Sequence, residues 1–244
     1  MLLHVALATL WSSTGAATVV SKPPPPPPPP PAGIAFNASF GSYMVLQQAP
    51  AKACVGGILG EGGTAASVTI KSSTDLSTGA HTVAAEITAD GGGWKACLPA
   101  AAVGGDHTIT ATCTGCTNTT AAVLEHVTYG DVWYCSGQSN MALRLQHTYS
   151  RNSSRDAILA GKYSNIRIHG LKGNMNPFQP WATLKQALAT PLAQTSSDDS
   201  SFMAFSASCY YFGQSGNQEG KPSSELVPRI CSRTLKGCFV LRPP

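Results

Sequence analysis

Charge is scarce in this 244-residue chain: Asp, Glu, Lys and Arg together make up 11%, against roughly a quarter in an average soluble protein. The formal net charge of +4 has no basic face behind it. Residues 1–213 hold eleven Lys/Arg and ten Asp/Glu, a net of +1, while the last 31 residues hold five and two, a net of +3. Nucleic-acid binding, which needs a clustered basic stripe with interleaved aromatics, is set aside on that distribution. Beyond residue 17 no apolar run reaches the length of a membrane span. The one CxxC, Cys113 and Cys116, has no second CxxC or His pair at ligand spacing, so a zinc site is not expected there. Histidine is missing after His169, and no Asp-x-x-His occurs anywhere in the chain.

What is present points to a packed, covalently braced protein. Hydrophobic residues make up 43%, enough for a core, which excludes a wholly disordered chain. Residues 1–17 combine an apolar run, Leu2 to Trp11, with small residues of a cleavage-site type, and read as a secretory signal peptide. Eight cysteines follow: Cys54, Cys97, Cys113, Cys116, Cys135, Cys209, Cys231 and Cys238. An even count in a secreted chain reads as disulfides of undetermined pairing, Cys113 and Cys116 being a structural bridge. Sequons at Asn37, Asn118 and Asn152 fit that secreted or lysosomal setting as N-glycosylation candidates.

The organisation follows from composition. Residues 18–33 form a linker around Pro23–Pro31, nine consecutive prolines expected to be an extended polyproline II spacer. Residues 34–124 alternate at period two in SVTIK (67–71), HTVAAEITA (81–89) and HTITATC (107–113), with glycine clusters between them. That spacing predicts a β-sandwich with Trp94 and Leu98 in its core. Residues 125–213 change register. VWYC (132–135) reads as a parallel strand buried on both faces, NIRIHGL (165–171) as the next strand, and SFMAFSASCYYF (201–212) as a buried helix. The expected fold is therefore a β-sandwich followed by a partial α/β domain. Residues 214–244 form a divergent basic tail.

Chemistry concentrates in GDVWYCSGQSNM, residues 130–141. A strand ending in a Ser-Gly-Gln-Ser-Asn turn can hold a serine hydroxyl at the carboxyl edge of a sheet, where open α/β folds place their sites. Gly137 allows close backbone approach, and the Ser139 amide could face a developing oxyanion. A Ser-rich turn is also a common helix cap, so local grammar alone leaves both readings open.

The longer string resembles the sialate O-acetylesterase family, a branch of the SGNH-type esterases with the block G-D-V-W-x-C-S-G-Q-S-N-M. FGSYMVLQ (40–47) looks like the family's N-terminal strand and YSNIRIH (163–169) like the strand after the nucleophile. Trp181 with SFMAFSASCYYFG (201–213) looks like its Trp…Phe-Ser-Ala-x-Cys-x-x-Phe-Gly helix. The resemblance covers residues 34–213, the family's N-terminal half. It implies Ser139 as nucleophile toward O-acetyl groups on sialic acids or related sugars, with Gly137, Gln138 and Asn140 shaping the turn. It implies no metal or organic cofactor. The family completes its site with a later Gly-Gly-Thr-like segment and an Asp-x-x-His, and neither is found in this sequence. The alternatives are a secreted carbohydrate-binding protein without turnover and a truncated fragment.

Overall fold

The computed structural model describes residues 33–72, 80–135, 137, 139–170, 179–191, 200–216 and the backbone of 238–242. The expected signal segment, the proline run, Gln138, Cys231 and most of the tail lie outside these residues. In chain order the strands are β1 (Ala35–Phe36), β2 (Val45–Gln47), β3 (Cys54–Ile58), β4 (Ala65–Ser72), β5 (Ala80–Ala84), β6 (Glu86–Ile87), β7 (Gly93–Cys97), β8 (Gly104–Thr114) and β9 (Ala121–Cys135). Then follow two 3₁₀ turns (Ser139–Ala142 and Leu145–His147), α1 (Arg151–Leu159), β10 (Arg167–Gly170), β11 (Gln179–Thr183), α2 (Leu184–Ala189), α3 (Ala207–Gly216) and β12 (Cys238–Arg242). Among the described residues no helix is long and apolar enough to cross a membrane.

The strands form two sheets, one of order β1-β3-β7-β6 and one of order β11-β10-β12-β9-β8-β4-β5, with β2 paired to β9. Period-two patterning explains the long antiparallel pair β4–β8. Val68 opposes Ala111 and Ile70 opposes Ile109, and all four are buried. Between them Ser67 pairs its hydroxyl with Thr112 at 2.8 Å, and Thr69 pairs with Thr82 of β5 at 2.8 Å. One face is thus apolar and the other carries hydroxyl ladders. Trp94 and Leu98 are buried as expected, in a core to which both sheets contribute.

Three local readings are corrected. The run 81–89 is not one strand, because β5 pairs with β4 and β6 with β7. The chain switches sheets at Ala85, whose amide donates to the Ala66 carbonyl. The segment 132–135 is not a doubly buried parallel strand. It continues β9, pairs antiparallel with β12, and leaves Tyr134 48% exposed. The helix expected from Ser201 begins only at Ala207. Residues 201–204 form turns that bury Phe202 and Met203, and the Ser206 hydroxyl accepts the Cys209 amide at 3.3 Å as a cap. Mixed strand directions with few, short helices fit a partial α/β fold.

A second core lies beyond the first. It gathers Leu145, Ile158, Ile166, Ile168, Leu184, Phe202, Phe205 and Tyr210 around the helices and β10. β9 contributes Leu124, Val127 and Tyr129 to the first core and Cys135 to the second. α2 starts on a reciprocal cap, in which the Gln186 amide donates to Thr183 Oγ1 at 3.1 Å and the Thr183 amide to Gln186 Oε1 at 2.9 Å. Among the described residues three disulfides brace the molecule: Cys54–Cys97 across β3 and β7, Cys113–Cys116 at the end of β8, and Cys135–Cys209 from β9 to α3.

Candidate active site

β9 ends at Cys135, and the chain then turns sharply through Gly137 into the first 3₁₀ turn. Gly137 is buried, and a Cβ there would stand 3.1 Å from the Met141 Cβ. A side chain would press on the turn, so the small residue lets the backbone fold back on itself. Ser139, the first residue of the 3₁₀ turn, has φ +55°, a left-handed conformation that costs a non-glycine residue roughly 1–2 kcal/mol. Ser139 and Asn140 are both exposed. Local backbone strain thus presents a serine to solvent beside the end of a strand.

The strain is held from one side by residues 203–208. Ser208 Oγ donates to the Asn140 carbonyl at 2.9 Å, and Ser206 Oγ donates to the Met141 carbonyl at 2.7 Å. The Ala207 amide donates to the Leu143 carbonyl at 2.8 Å, and the Leu145 and Gln146 amides donate to the Phe205 and Met203 carbonyls at 3.0 Å. Behind this ladder Leu145 is fully buried, and the Cys135–Cys209 disulfide fastens the strand end to α3. Residue typing thus explains the placement: short hydroxyl side chains satisfy the carbonyls of the turn, and the paired cysteines clamp both flanks. The roles of Ser206 and Ser208 were not assigned from sequence, where FSASC reads only as helix interior; Ser206 as an N-cap residue was the available signal.

A serine nucleophile needs a base within about 3 Å. Among the described residues no histidine is hydrogen-bonded to Ser139. His126 lies nine residues upstream of Cys135 on β9, about 30 Å along an extended strand. It pairs there with Asp106 at 3.3 Å and stacks on Tyr43 with ring centroids 4.7 Å apart. His107 packs edge-on to Tyr129 at 5.3 Å, and burial pushes its pKa down. His169 is fully buried in β10 and stacked on Trp181, centroids 5.0 Å apart; its ring belongs to the interior. His147 is exposed on the second 3₁₀ turn and lines a cleft together with residues of α1 and α2. Among the described residues no group of three or more His, Cys, Asp or Glu is placed to hold a metal ion.

Comparison with known proteins bears on the serine-bearing turn. No family model matches the chain. Curated proteins do. The sialate O-acetylesterase of Rattus norvegicus is 31% identical over 139 residues, 56% of this chain and 24% of the rat protein. The Homo sapiens protein of the same name is 29% identical over 195 residues, 75% of this chain and 34% of its own length. The Mus musculus protein is 32% identical over 140 residues, 56% of this chain and 24% of its own. The chain is a relative of the sialate O-acetylesterases. It spans about a quarter to a third of the length of the curated sialate O-acetylesterases that it matches. A match over 75% of this chain agrees with a resemblance read across residues 34–213.

Proposed function

We propose that this chain carries the serine nucleophile of a carboxylic-ester hydrolase that removes O-acetyl groups from sialic acids or related sugars. The observation that carries the reading is the strained, exposed Ser139 on a turn braced by Ser206, Ser208 and the Cys135–Cys209 disulfide. It sits in a chain related to proteins named sialate O-acetylesterase. In outline, Ser139 Oγ attacks the acetyl carbonyl and its proton passes to a base. The C–O bond to the sugar then breaks, and the sugar oxygen takes up a proton. Water cleaves the resulting acetyl-serine to acetate and regenerates the hydroxyl. Gly137, Gln138 and Asn140 shape the turn, and the Ser139 amide serves as one oxyanion donor. The architecture that goes with this reading is a β-sandwich followed by a partial SGNH-type α/β domain. Three disulfides suit an oxidising compartment, secreted or lysosomal.

A second reading, a secreted carbohydrate-binding protein without turnover, is favoured by one observation. No described histidine is placed on Ser139. Acetate release from O-acetylated sialic acid by the wild-type chain and by Ser139→Ala separates the two. The esterase reading expects release that falls on the order of 10³-fold or more in the variant. Release that persists in Ser139→Ala removes Ser139 from the mechanism. Sugar binding with no release by either protein leaves the second reading.

A further inference from the structure

The second 3₁₀ turn, α1 and α2 line an open cleft of about 1050 Å³, which includes Gln146 and Met203 of the hydrogen-bonded ladder that holds the candidate active site. Its lining combines the apolar Leu159, Leu188 and Met203 with the exposed Arg151, Arg155, Lys185 and His147. Arg151 and Arg155 stand four apart on α1, so both project from one face of the helix. Asp156, the one acid of α1, does not line the cleft. Among the described residues no ion pair engages Arg151, Arg155 or Lys185; Arg151 Nη1 donates only to the Thr148 carbonyl, at 3.2 Å. In a chain so poor in charge, three cations around one concavity with no carboxylate among its described lining residues are unlike an ordinary solvated helix face, where the signs alternate. Guanidinium groups present paired, planar donors suited to carboxylates.

The cleft is also connected to the serine. Gln146 lines it and lies seven residues after Ser139 along the segment pinned to residues 203–208. Two short 3₁₀ turns with an extended Arg144 between them make up that path, and at no more than about 3.3 Å per residue it spans at most roughly 23 Å, within the reach of a short oligosaccharide.

We infer that the cleft between α1 and α2 is a subsite for a carboxylate-bearing sugar one or more residues removed from the acetylated one. The chain would then take an acidic oligosaccharide rather than a single sugar. The inference rests on the esterase reading for the substrate at Ser139, and the binding itself does not require turnover. The test is therefore made with non-acetylated probes. Titration calorimetry of the full chain with α2,8-linked oligosialic acid is compared with a neutral dextran of similar length. The expected result is binding of the acidic probe alone. It weakens at least tenfold in Arg151→Gln/Arg155→Gln/Lys185→Gln and also on raising salt from about 0.05 to 0.5 M. The unfolding midpoint of the variant should match that of the wild type. Equal affinity for dextran, no binding of oligosialic acid, or affinity unchanged in the variant overturns the subsite. Acetate release from a monomeric O-acetylated sialic acid, measured alongside, reports on Ser139 alone and distinguishes failure of the subsite from failure of the esterase reading.

Discussion

Cys135 and Cys209 join the last residue of β9 to the first turn of α3, closing a disulfide four residues ahead of Ser139. The loop it closes spans 74 residues and includes both 3₁₀ turns, α1, β10, β11 and α2. The chain-entropy relation gives such a cross-link about 4 kcal/mol. Cys135→Ala/Cys209→Ala is expected to lower unfolding free energy by about 2–4 kcal/mol in urea titration. If Ser139 is the nucleophile proposed above, its labelling by a fluorophosphonate probe should slow as its turn loosens. An unchanged urea midpoint would count against a stabilising bridge at this position.

Ser206 is buried, and its hydroxyl both donates to the Met141 carbonyl and accepts the Cys209 amide. Ser206→Ala leaves two polar groups unsatisfied and is expected to cost about 1–3 kcal/mol. Ser208 is partly exposed and makes a single bond to the Asn140 carbonyl, so water can replace it; Ser208→Ala should cost no more than about 1 kcal/mol. Urea titration of the two variants gives the order directly.

Trp181 comes from β11 yet inserts into the first core, where its indole Nε1 donates to the Ser39 carbonyl at 2.8 Å. Trp181→Ala is expected to cost about 3–5 kcal/mol by leaving a large cavity. Trp181→Phe should cost about 1–2 kcal/mol, since a ring remains to stack on His169 and chiefly the hydrogen bond is lost. Near-ultraviolet circular dichroism of the Phe variant, compared with the urea data, checks that the core stays ordered.

His107 is half-buried with its pKa pushed down, chiefly by burial. The unfolded chain therefore takes up a proton at this position before the folded one does. Stability is fully present above the unfolded value, about 6.5, and declines as pH falls from there toward the folded pKa. His107→Asn should flatten the fall in urea midpoint between about pH 6.5 and 5 relative to wild type. An identical slope in the two proteins would show that His107 contributes nothing to it.

The three sequons differ in their backbone setting. Asn37 and Asn118 are exposed on irregular segments between strands, whereas Asn152 lies in α1 with its partner Ser154 buried. Glycan mapping by mass spectrometry of protein from secreting cells is expected to find Asn37 and Asn118 occupied and Asn152 bare. A glycan on Asn152, which lines the basic cleft, would cover that cleft and exclude an oligosaccharide from it.

Local pattern made the β4–β8 pair, Trp94 and Leu98 readable, because one buried face at period two leaves a direct imprint on the residues. The family resemblance was readable for a different reason: the block at residues 130–141 is long and specific. The start of α3 was misplaced because SFMAF (201–205) has the same small and apolar spacing as a helix, and only the Ser206 cap marks where the helix begins. Tyr134 was misjudged because burial of a short apolar run depends on which strands flank it, and its antiparallel neighbour β12 comes from more than a hundred residues later. The basic cleft was illegible for a similar reason, since Lys185 meets the α1 arginines only through the packing of α2.

β9 is a single strand of fifteen residues, roughly 50 Å of extended chain, that supplies side chains to both cores. The β-rich half and the helix-bearing half therefore share a backbone element instead of meeting across a linker. Neither half can melt without stripping a partner surface from the other, so heating should produce a single calorimetric transition. Bending one half against the other has to deform β9 itself, and the place its ladder yields most readily is around His126, where φ is +55° and the pairing with β8 shifts register.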